Sequence, residues 1–290
     1  MIPFELAEPR TLREAAALLD ADDPTVRAIA GGTALMLMMK TGVFQPAQLV
    51  SLRGVEPRHS ALSTDGDGGL RIGALTTLSA LARSATVKST APVITQTLKT
   101  LSNVRVRNVA TLGGHLAHAD PHMDLPPLMI ALGAQVVTVA PNGSRTLAVA
   151  DLYTGYYETA LARNELIAEV IVPAPAGRRA AYIKCTTRSA DDWPTLGIAV
   201  SIALVAGAVK EARIVVGAAT EMPVRLHAAE KELQGASLND DVLRDDVLRR
   251  CGEAAAAEAE LVEDARGSAA YKQALLRVHM GRAIGAALAG

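Results

Sequence analysis

Ala30-Gly31-Gly32-Thr33-Ala34-Leu35 and Thr111-Leu112-Gly113-Gly114-His115-Leu116 decide how this 290-residue chain is read. In each, a glycine pair is followed by a polar residue and an apolar run. Paired glycines leave the backbone without Cβ atoms, so a bulky anionic group can lie directly against peptide N–H donors, above all where a helix begins. Two such turns imply an extended phosphate ligand. No Gly-Lys-Ser/Thr follows either pair and neither is G-x-G-x-x-G, which counts against a nucleoside triphosphate and a Rossmann cofactor.

Working outward, Val26 to Ala30 reads as a strand entering the first turn, and Thr33 can cap a helix from Ala34 to Lys40 that Gly42 ends. Thr11-Leu12-Arg13-Glu14 has the form of a capping box before a helix from Ala15 to Leu19. Short strands follow at Leu49 to Leu52 and at Leu70 to Ala74, the latter after the turn residues Asp65 to Gly69. A helix is predicted from about Pro92 to Ser102, and Pro126-Pro127 open another that Gly133 stops. Pro141-Asn142-Gly143-Ser144 joins strands Ala134–Ala140 and Arg145–Val149 as a hairpin, and Glu165 to Val172 is a further strand. Pro173-Ala174-Pro175-Ala176-Gly177 breaks both helix and sheet, and the domain boundary is placed there. Beyond it come strands at Ala180–Thr186, Leu196–Val205 and Ala212–Ala218. Helices at Val224–Gln234, Asp240–Ala259 and Ala269–Leu288 complete a layered α+β domain.

Composition narrows the function. Half the residues are apolar and the net charge is −1, so a substantial core is available and no electrostatic case exists for nucleic acid or an anionic membrane. Aromatic residues are 3% of the chain, which points to ligand contacts made mostly by backbone and aliphatic groups. Cys185 and Cys251 lie far apart, too few and too separated for a zinc site or an iron–sulfur cluster, and they fit a reducing cytoplasm. No basic segment followed by an apolar core opens the sequence, and no stretch approaches the roughly 18 apolar residues of a membrane span.

The segment Arg107 to Ala134, with Ala-Gly-Gly-Thr upstream and Asp264-Ala265-Arg266-Gly267-Ser268-Ala269-Ala270-Tyr271 near the end, resembles the FAD-binding (medium) subunit of the molybdenum hydroxylases, the family of carbon monoxide dehydrogenase and xanthine dehydrogenase. The resemblance covers nearly the whole chain. It implies an α+β fold: a two-subdomain FAD-binding module of the vanillyl-alcohol oxidase type over residues 1–175 (subdomains about 1–56 and 57–175), then a small three-stranded sheet with helices over 178–290. It further implies FAD as cofactor. Molybdopterin would sit on a large partner subunit and [2Fe–2S] clusters on a small one, in a heterotrimer that can pair into a dimer. Electrons from the clusters would reach an external acceptor through the flavin, with no catalytic acid, base or nucleophile on this chain. The family branch with an extra four-iron cluster in this subunit is disfavoured by the two cysteines.

Carried over by motif, Ala30, Gly31, Gly32, Thr33 and Ala34, and Thr111, Gly113, Gly114 and His115, would line the FAD pyrophosphate through backbone N–H groups and the threonine hydroxyls. Asp124 matches an aspartate that accepts from cofactor hydroxyls, and it can equally cap the helix at Pro126. Ile167 matches a backbone contact but reads as well as strand core. Lys184 matches a lysine beside the isoalloxazine ring, where a cation favours the reduced anionic flavin, or it is a solvated strand lysine. Leu101 and Ser102 correspond to a further contact segment. Arg188 to Trp193 resembles a stretch at the flavin edge, while a lone tryptophan also suits a core or an interface. His115, His118 and His122 with Asp120 and Asp124 have spacings that could converge on a metal, but the flanking glycines and prolines suit a cofactor loop better. The alternatives for the whole chain are a stand-alone flavin oxidase or reductase of the same superfamily and a colourless assembly subunit. The partner's substrate and the final acceptor are not encoded here.

Overall fold

A computed structural model describes residues 2–238 and 241–289. The chain opens with β1 (Glu5–Ala7), α1 (Leu12–Leu18), β2 (Val26–Ile29), α2 (Leu35–Thr41) and β3 (Gln48–Ser51), and the three strands form a parallel sheet in the order β1-β3-β2. Helix α1 begins as its sequence demands. Thr11 caps it by accepting from the Glu14 N–H at 3.0 Å, and the Glu14 carboxylate reaches back to the Arg10 N–H at 2.7 Å. Its apolar face, Leu12, Ala15 and Ala16, packs on Val50 of this sheet and on Leu166 and Ala168 of the next one, so α1 bridges the two sheets.

A second stretch runs β4 (Leu62–Thr64), β5 (Leu70–Gly73), then short helices α3 (Leu78–Arg83), α4 (Ala85–Thr90), α5 (Pro92–Leu98), α6 (Val104–Val109), α7 (Leu112–Ala117) and α8 (Leu125–Leu132). Strands β6 (Gln135–Ala140), β7 (Gly143–Ala148), β8 (Tyr153–Gly155), β9 (Glu158–Thr159) and β10 (Leu166–Val172) follow. The main sheet is antiparallel in the order β4-β5-β10-β6-β7, while β8 and β9 pair by themselves. The short helices cover the main sheet, burying Leu78, Leu81, Ile94, Leu112, Leu116 and Met129 against Ile72, Val136 and Val170.

The C-terminal half comprises β11 (Arg179–Cys185), β12 (Leu196–Val205), β13 (Ala208–Gly217), β14 (Val224–Arg225), α9 (His227–Leu233), α10 (Asp241–Glu258) and α11 (Ala269–Ala289). Both faces of its sheet are covered, and the register shows how. Ala199 and Val215 turn toward the core of the N-terminal half, while Ile198, Val200, Ile214 and Val216 turn toward Leu276, Met280 and Ile284 of α11. A strand buried on both faces reads as an unbroken apolar run, which is what Leu196 to Val205 shows.

Several expectations are corrected. The C-terminal sheet has four strands, because Val224–Arg225 pairs with Val215–Val216 instead of opening the helix, which starts at His227. The helix from Pro92 stops at Leu98, and Ser102 stands at φ 54°, outside helical space. Four helices, α3, α4, α6 and α7, were not anticipated, and Gly113 and Gly114 lie inside α7. Asp240, taken as the start of the second long helix, lies outside the described residues.

Candidate functional site

The two glycine turns meet. Strand β2 delivers Gly31 and Gly32, and a Cβ on Gly31 would stand 2.1 Å from the Val109 carbonyl oxygen and 2.8 Å from the Ala110 Cα, the residues leading into the second turn. Across the same junction, a Cβ on Gly114 would lie 2.9 Å from the Thr111 Oγ1 and 4.0 Å from the Ala30 Cβ. Glycine at position 31 is therefore required by close backbone approach. At position 32 it is required by the left-handed conformation, φ +71°.

The turns differ in what their N–H groups do. In the second, Leu112 donates to the Thr76 carbonyl at 3.0 Å and Gly113 to the Ala74 carbonyl at 2.7 Å. Gly114 donates to the Thr111 hydroxyl at 3.2 Å and His115 to the Thr111 carbonyl at 2.9 Å. Thr111 thus caps α7, and Gly113 sits where a Cβ would come within 2.6 Å of the Ala74 Cβ. In the first turn, the N–H groups of Gly31, Gly32, Thr33 and Ala34 have no acceptor among the described residues, and all four residues keep some solvent exposure. Thr33 does not cap α2. The capping position falls on Ala34, which has no side-chain acceptor, so the Thr33 hydroxyl stays available.

Asp124 is not a helix cap either. It occupies that position before α8 in a helical conformation, φ −76° and ψ −35°, and makes no capping bond. Its carboxylate instead accepts from the Tyr182 hydroxyl at 2.8 Å and pairs with the Lys184 ammonium at 3.0 Å. The ammonium also donates to the Thr100 carbonyl at 2.9 Å. Both charged side chains are more than nine-tenths buried. Burial pushes the Asp124 carboxyl above its ordinary value, with Lys184 and Tyr182 pulling the other way, and burial beside that carboxylate drives the Tyr182 hydroxyl far up. Neighbouring Leu101 is buried, and the Leu101 and Ser102 carbonyls both take the Arg107 guanidinium. Ile167 is core, at a register shift in β10 that turns the Ala168 carbonyl onto the Ala74 N–H at 3.0 Å.

The histidines take three different roles. His115 is buried, and its Nε2 has no partner. Desolvation, with His118 and Lys184 adding and Asp120 opposing, lowers it to about 3. His118 packs edge-on against Tyr157, the ring centroids 5.5 Å apart. His122 lies between two carboxylates, with Asp120 Oδ1 at 3.1 Å on Nδ1 and Asp264 Oδ2 at 3.0 Å on Nε2. Among the described residues no three His, Cys, Asp or Glu side chains are placed to hold a metal ion. Burial pushes the Cys185 thiol up to about 11 and the Cys251 thiol up to about 12, so neither is poised as a nucleophile.

A buried neutral His115 has a measurable cost. The unfolded chain takes up this proton below about pH 6.5 while the folded chain resists until about pH 3, so stability falls as pH drops through that window. Replacing His115 by Leu should recover about 2 kcal/mol at pH 5 relative to pH 7.5. Urea unfolding at the two pH values measures this, and an unchanged difference between them would contradict it.

Two features escaped the sequence reading. One is the chain of partners Tyr157, Asp120, His122, Asp264 and Lys272, which runs from one half of the molecule into the other. The Asp264 motif was visible, but nothing local names its partner. The other is the placing of the scarce aromatics. All five tyrosines and the single tryptophan gather around residues 115–124 and the turn at Gly267.

The family described as the FAD binding domain in molybdopterin dehydrogenase matches residues 2–175, and the CO dehydrogenase flavoprotein C-terminal domain matches residues 181–287. The carbon monoxide dehydrogenase medium chain of Hydrogenophaga pseudoflava is 34% identical over 100% of this chain and 99% of its own length. The glyceraldehyde dehydrogenase medium chain of Sulfolobus acidocaldarius is 28% identical over 95% of each. The solved structure of carbon monoxide dehydrogenase from Hydrogenophaga pseudoflava matches with a TM-score of 0.92 at 35% identity, covering 100% of this chain and 99% of that one. Quinoline 2-oxidoreductase from Pseudomonas putida matches with a TM-score of 0.90 at 29% identity, covering 100% and 98%. The chain belongs to the family of FAD-binding medium subunits of carbon monoxide dehydrogenase and related molybdenum hydroxylases. It is an oxidoreductase subunit, and its N-terminal module is an FAD-binding domain. None of its described helices is long and apolar enough to cross a membrane.

Proposed function

We propose that this chain is the electron-transfer subunit of a heteromeric molybdenum hydroxylase, taking electrons from [2Fe–2S] clusters on a small partner subunit and passing them to an external acceptor. A large partner would carry the molybdopterin and oxidise the substrate. The observation that carries the reading is the junction of the two glycine turns, where four N–H groups without an acceptor among the described residues lie beside a backbone contact that admits no side chain. Such a cradle fits the pyrophosphate of FAD, because a desolvated diphosphate needs several donors and no Cβ in the way. The division into two subdomains bridged by α1 supports placing the module with the vanillyl-alcohol oxidase type.

Within this reading, Ala30 to Ala34 hold the pyrophosphate, and Thr111, Gly113, Gly114 and His115 brace them from behind. The Leu101–Ser102 segment, Ile167 and the Asp124–Lys184 pair would meet the rest of the cofactor. FAD supplies the redox chemistry when bound. The protein's own work is to position and to set local charge. Lys184 is already paired with Asp124, so the site presents a nearly compensated pair instead of a bare cation.

The protein isolated with its partners should be yellow and hold one FAD per copy of this chain. Replacing Gly32 by Ala forces an L-residue into the left-handed region at a cost of about 1–2 kcal/mol. FAD should then bind about tenfold more weakly, as read by titration of the flavin-stripped protein. A colourless preparation that refuses added FAD would overturn the proposal.

A further inference from the structure

The Trp193 loop joins β11 to β12 and is mostly exposed from residue 187 to 191, with hydrogen bonds from Ser189 to Asp191 and from the Trp193 N–H to Asp192 closing on itself. Arg266 ties it to the C-terminal turn by donating to the Trp193 carbonyl at 3.1 Å, with its guanidinium 5.4 Å from the indole centre. Among the described residues, the contact that ties the indole to the FAD-binding half is the His122 ring, stacked at 5.6 Å and 14°. That imidazole is itself fixed at both nitrogens, by Asp120 of the first half and by Asp264 of the second. Each carboxylate has a second partner. The Tyr157 hydroxyl donates to Asp120 at 2.7 Å, and the fully buried Lys272 ammonium pairs with Asp264 at 2.7 Å.

Two acceptors on one imidazole require two N–H donors, which only the imidazolium has. We propose that His122 is a positioning residue: as the imidazolium it clamps the two halves together and holds the Trp193 indole against its ring, and loss of its proton releases the indole. The clamp stands apart from the flavin reading.

The electrostatics agree in sign. Burial disfavours the His122 charge, yet hydrogen bonds and charges from Asp120 and Asp264 outweigh it and raise its pKa. Asp264 is held down to about 2 despite partial burial, by Lys272 and His122, and Asp120 is lowered by His122 and Tyr157 in the same way. Arg266, Asp192 and His118 complete the charged and titratable surroundings. A raised pKa in the fold means that the clamp stabilises fully below about pH 6.5 and is lost as pH rises through the folded value.

Trp193 is the only tryptophan, so its emission reports this contact alone, and an imidazolium stacked on indole quenches it. In the full-length flavin-free chain, emission should rise sigmoidally as pH increases, with a midpoint above the ordinary histidine value of about 6.5. His122→Gln should abolish the transition, and Asp264→Asn should move its midpoint down toward 6.5. Emission that stays flat in the wild-type chain, or a transition that survives in His122→Gln, would overturn the proposal. FAD titration of the same preparations separates the two readings. Failure to bind FAD with the transition intact removes the flavin reading and leaves the clamp, whereas bound FAD with flat emission does the reverse.

Discussion

Gly31→Ala is expected to remove FAD from the protein almost completely, a larger effect than any substitution at the more conspicuous Gly32. The added Cβ would lie 2.1 Å from the Val109 oxygen, 2.7 Å from its carbonyl carbon and 2.8 Å from the Ala110 Cα. All three are main-chain atoms, so no side-chain rotation relieves the clash and one turn must retreat from the other. Overpacking a close contact costs about 1–3 kcal/mol, and a backbone-to-backbone collision belongs at the upper end. Carried entirely in the cradle, about 3 kcal/mol weakens FAD binding roughly 100-fold. FAD content after gel filtration and the dissociation constant of the stripped protein measure it. Gly143→Ala is the control, since nothing lies within 4 Å of its Cβ position and it should behave as wild type. Wild-type affinity in Gly31→Ala would show that the meeting of the two turns is not what holds the cofactor.

That contrast also marks what the sequence could say. The first turn was legible because the physics of a glycine pair is local: absence of Cβ, positive φ and proximity to a helix start all act within a few residues, whereas Gly113 and Gly114 fall inside α7. Which glycine answers to which constraint was not legible, because the constraint on Gly31 comes from Val109 and Ala110, some eighty residues downstream. Thr33 shows the same limit. It stands one residue early, since the chain enters α2 through Ala34, and a cap displaced by one position cannot reach the N–H it would accept. Four of the five strands of the main sheet were readable from turn chemistry and β-branched runs, whereas the three-residue β4 and the helices α3, α4, α6 and α7, of six residues each, lack the length for a periodic signal. Val224–Arg225 was assigned to a helix because two residues carry no period at all, and pairing with β13 decided them.

Charge partners were the least legible part. Asp124 and Lys184 are sixty residues apart, His122 and Asp264 more than twice that, and each residue alone reads as an ordinary cap, strand lysine or loop histidine. Only the fold brings them into contact. Two histidines seven residues apart consequently respond to pH in opposite directions. His115 is kept neutral and destabilises the fold as pH falls, while His122 is kept charged and destabilises it as pH rises. Single substitutions at each position separate the two terms.

Asp124→Ala should be the most destabilising change among the charged residues of the site. It strands the Lys184 ammonium, more than nine-tenths buried, with only the Thr100 carbonyl, and it leaves the Tyr182 hydroxyl without its acceptor. Removing one member of a buried pair costs about 3–5 kcal/mol, because the remaining charge is desolvated without compensation. Urea unfolding at pH 7 reads the loss. The double variant Asp124→Ala with Lys184→Met removes the stranded charge and keeps most of the side-chain volume, so it should be more stable than Asp124→Ala by several kcal/mol. Strict additivity of the two single losses would mean that the 3.0 Å pair carries no coupling and that Lys184 finds solvent by another route. Asp124→Asn divides packing from charge. It retains an acceptor for Tyr182 but leaves the Lys184 charge uncompensated, so the bound flavin should become easier to reduce, its midpoint potential moving upward. A downward or absent shift would place Lys184 too far from the ring to act on it, and the role of the Asp124–Lys184 pair would then be confined to stability.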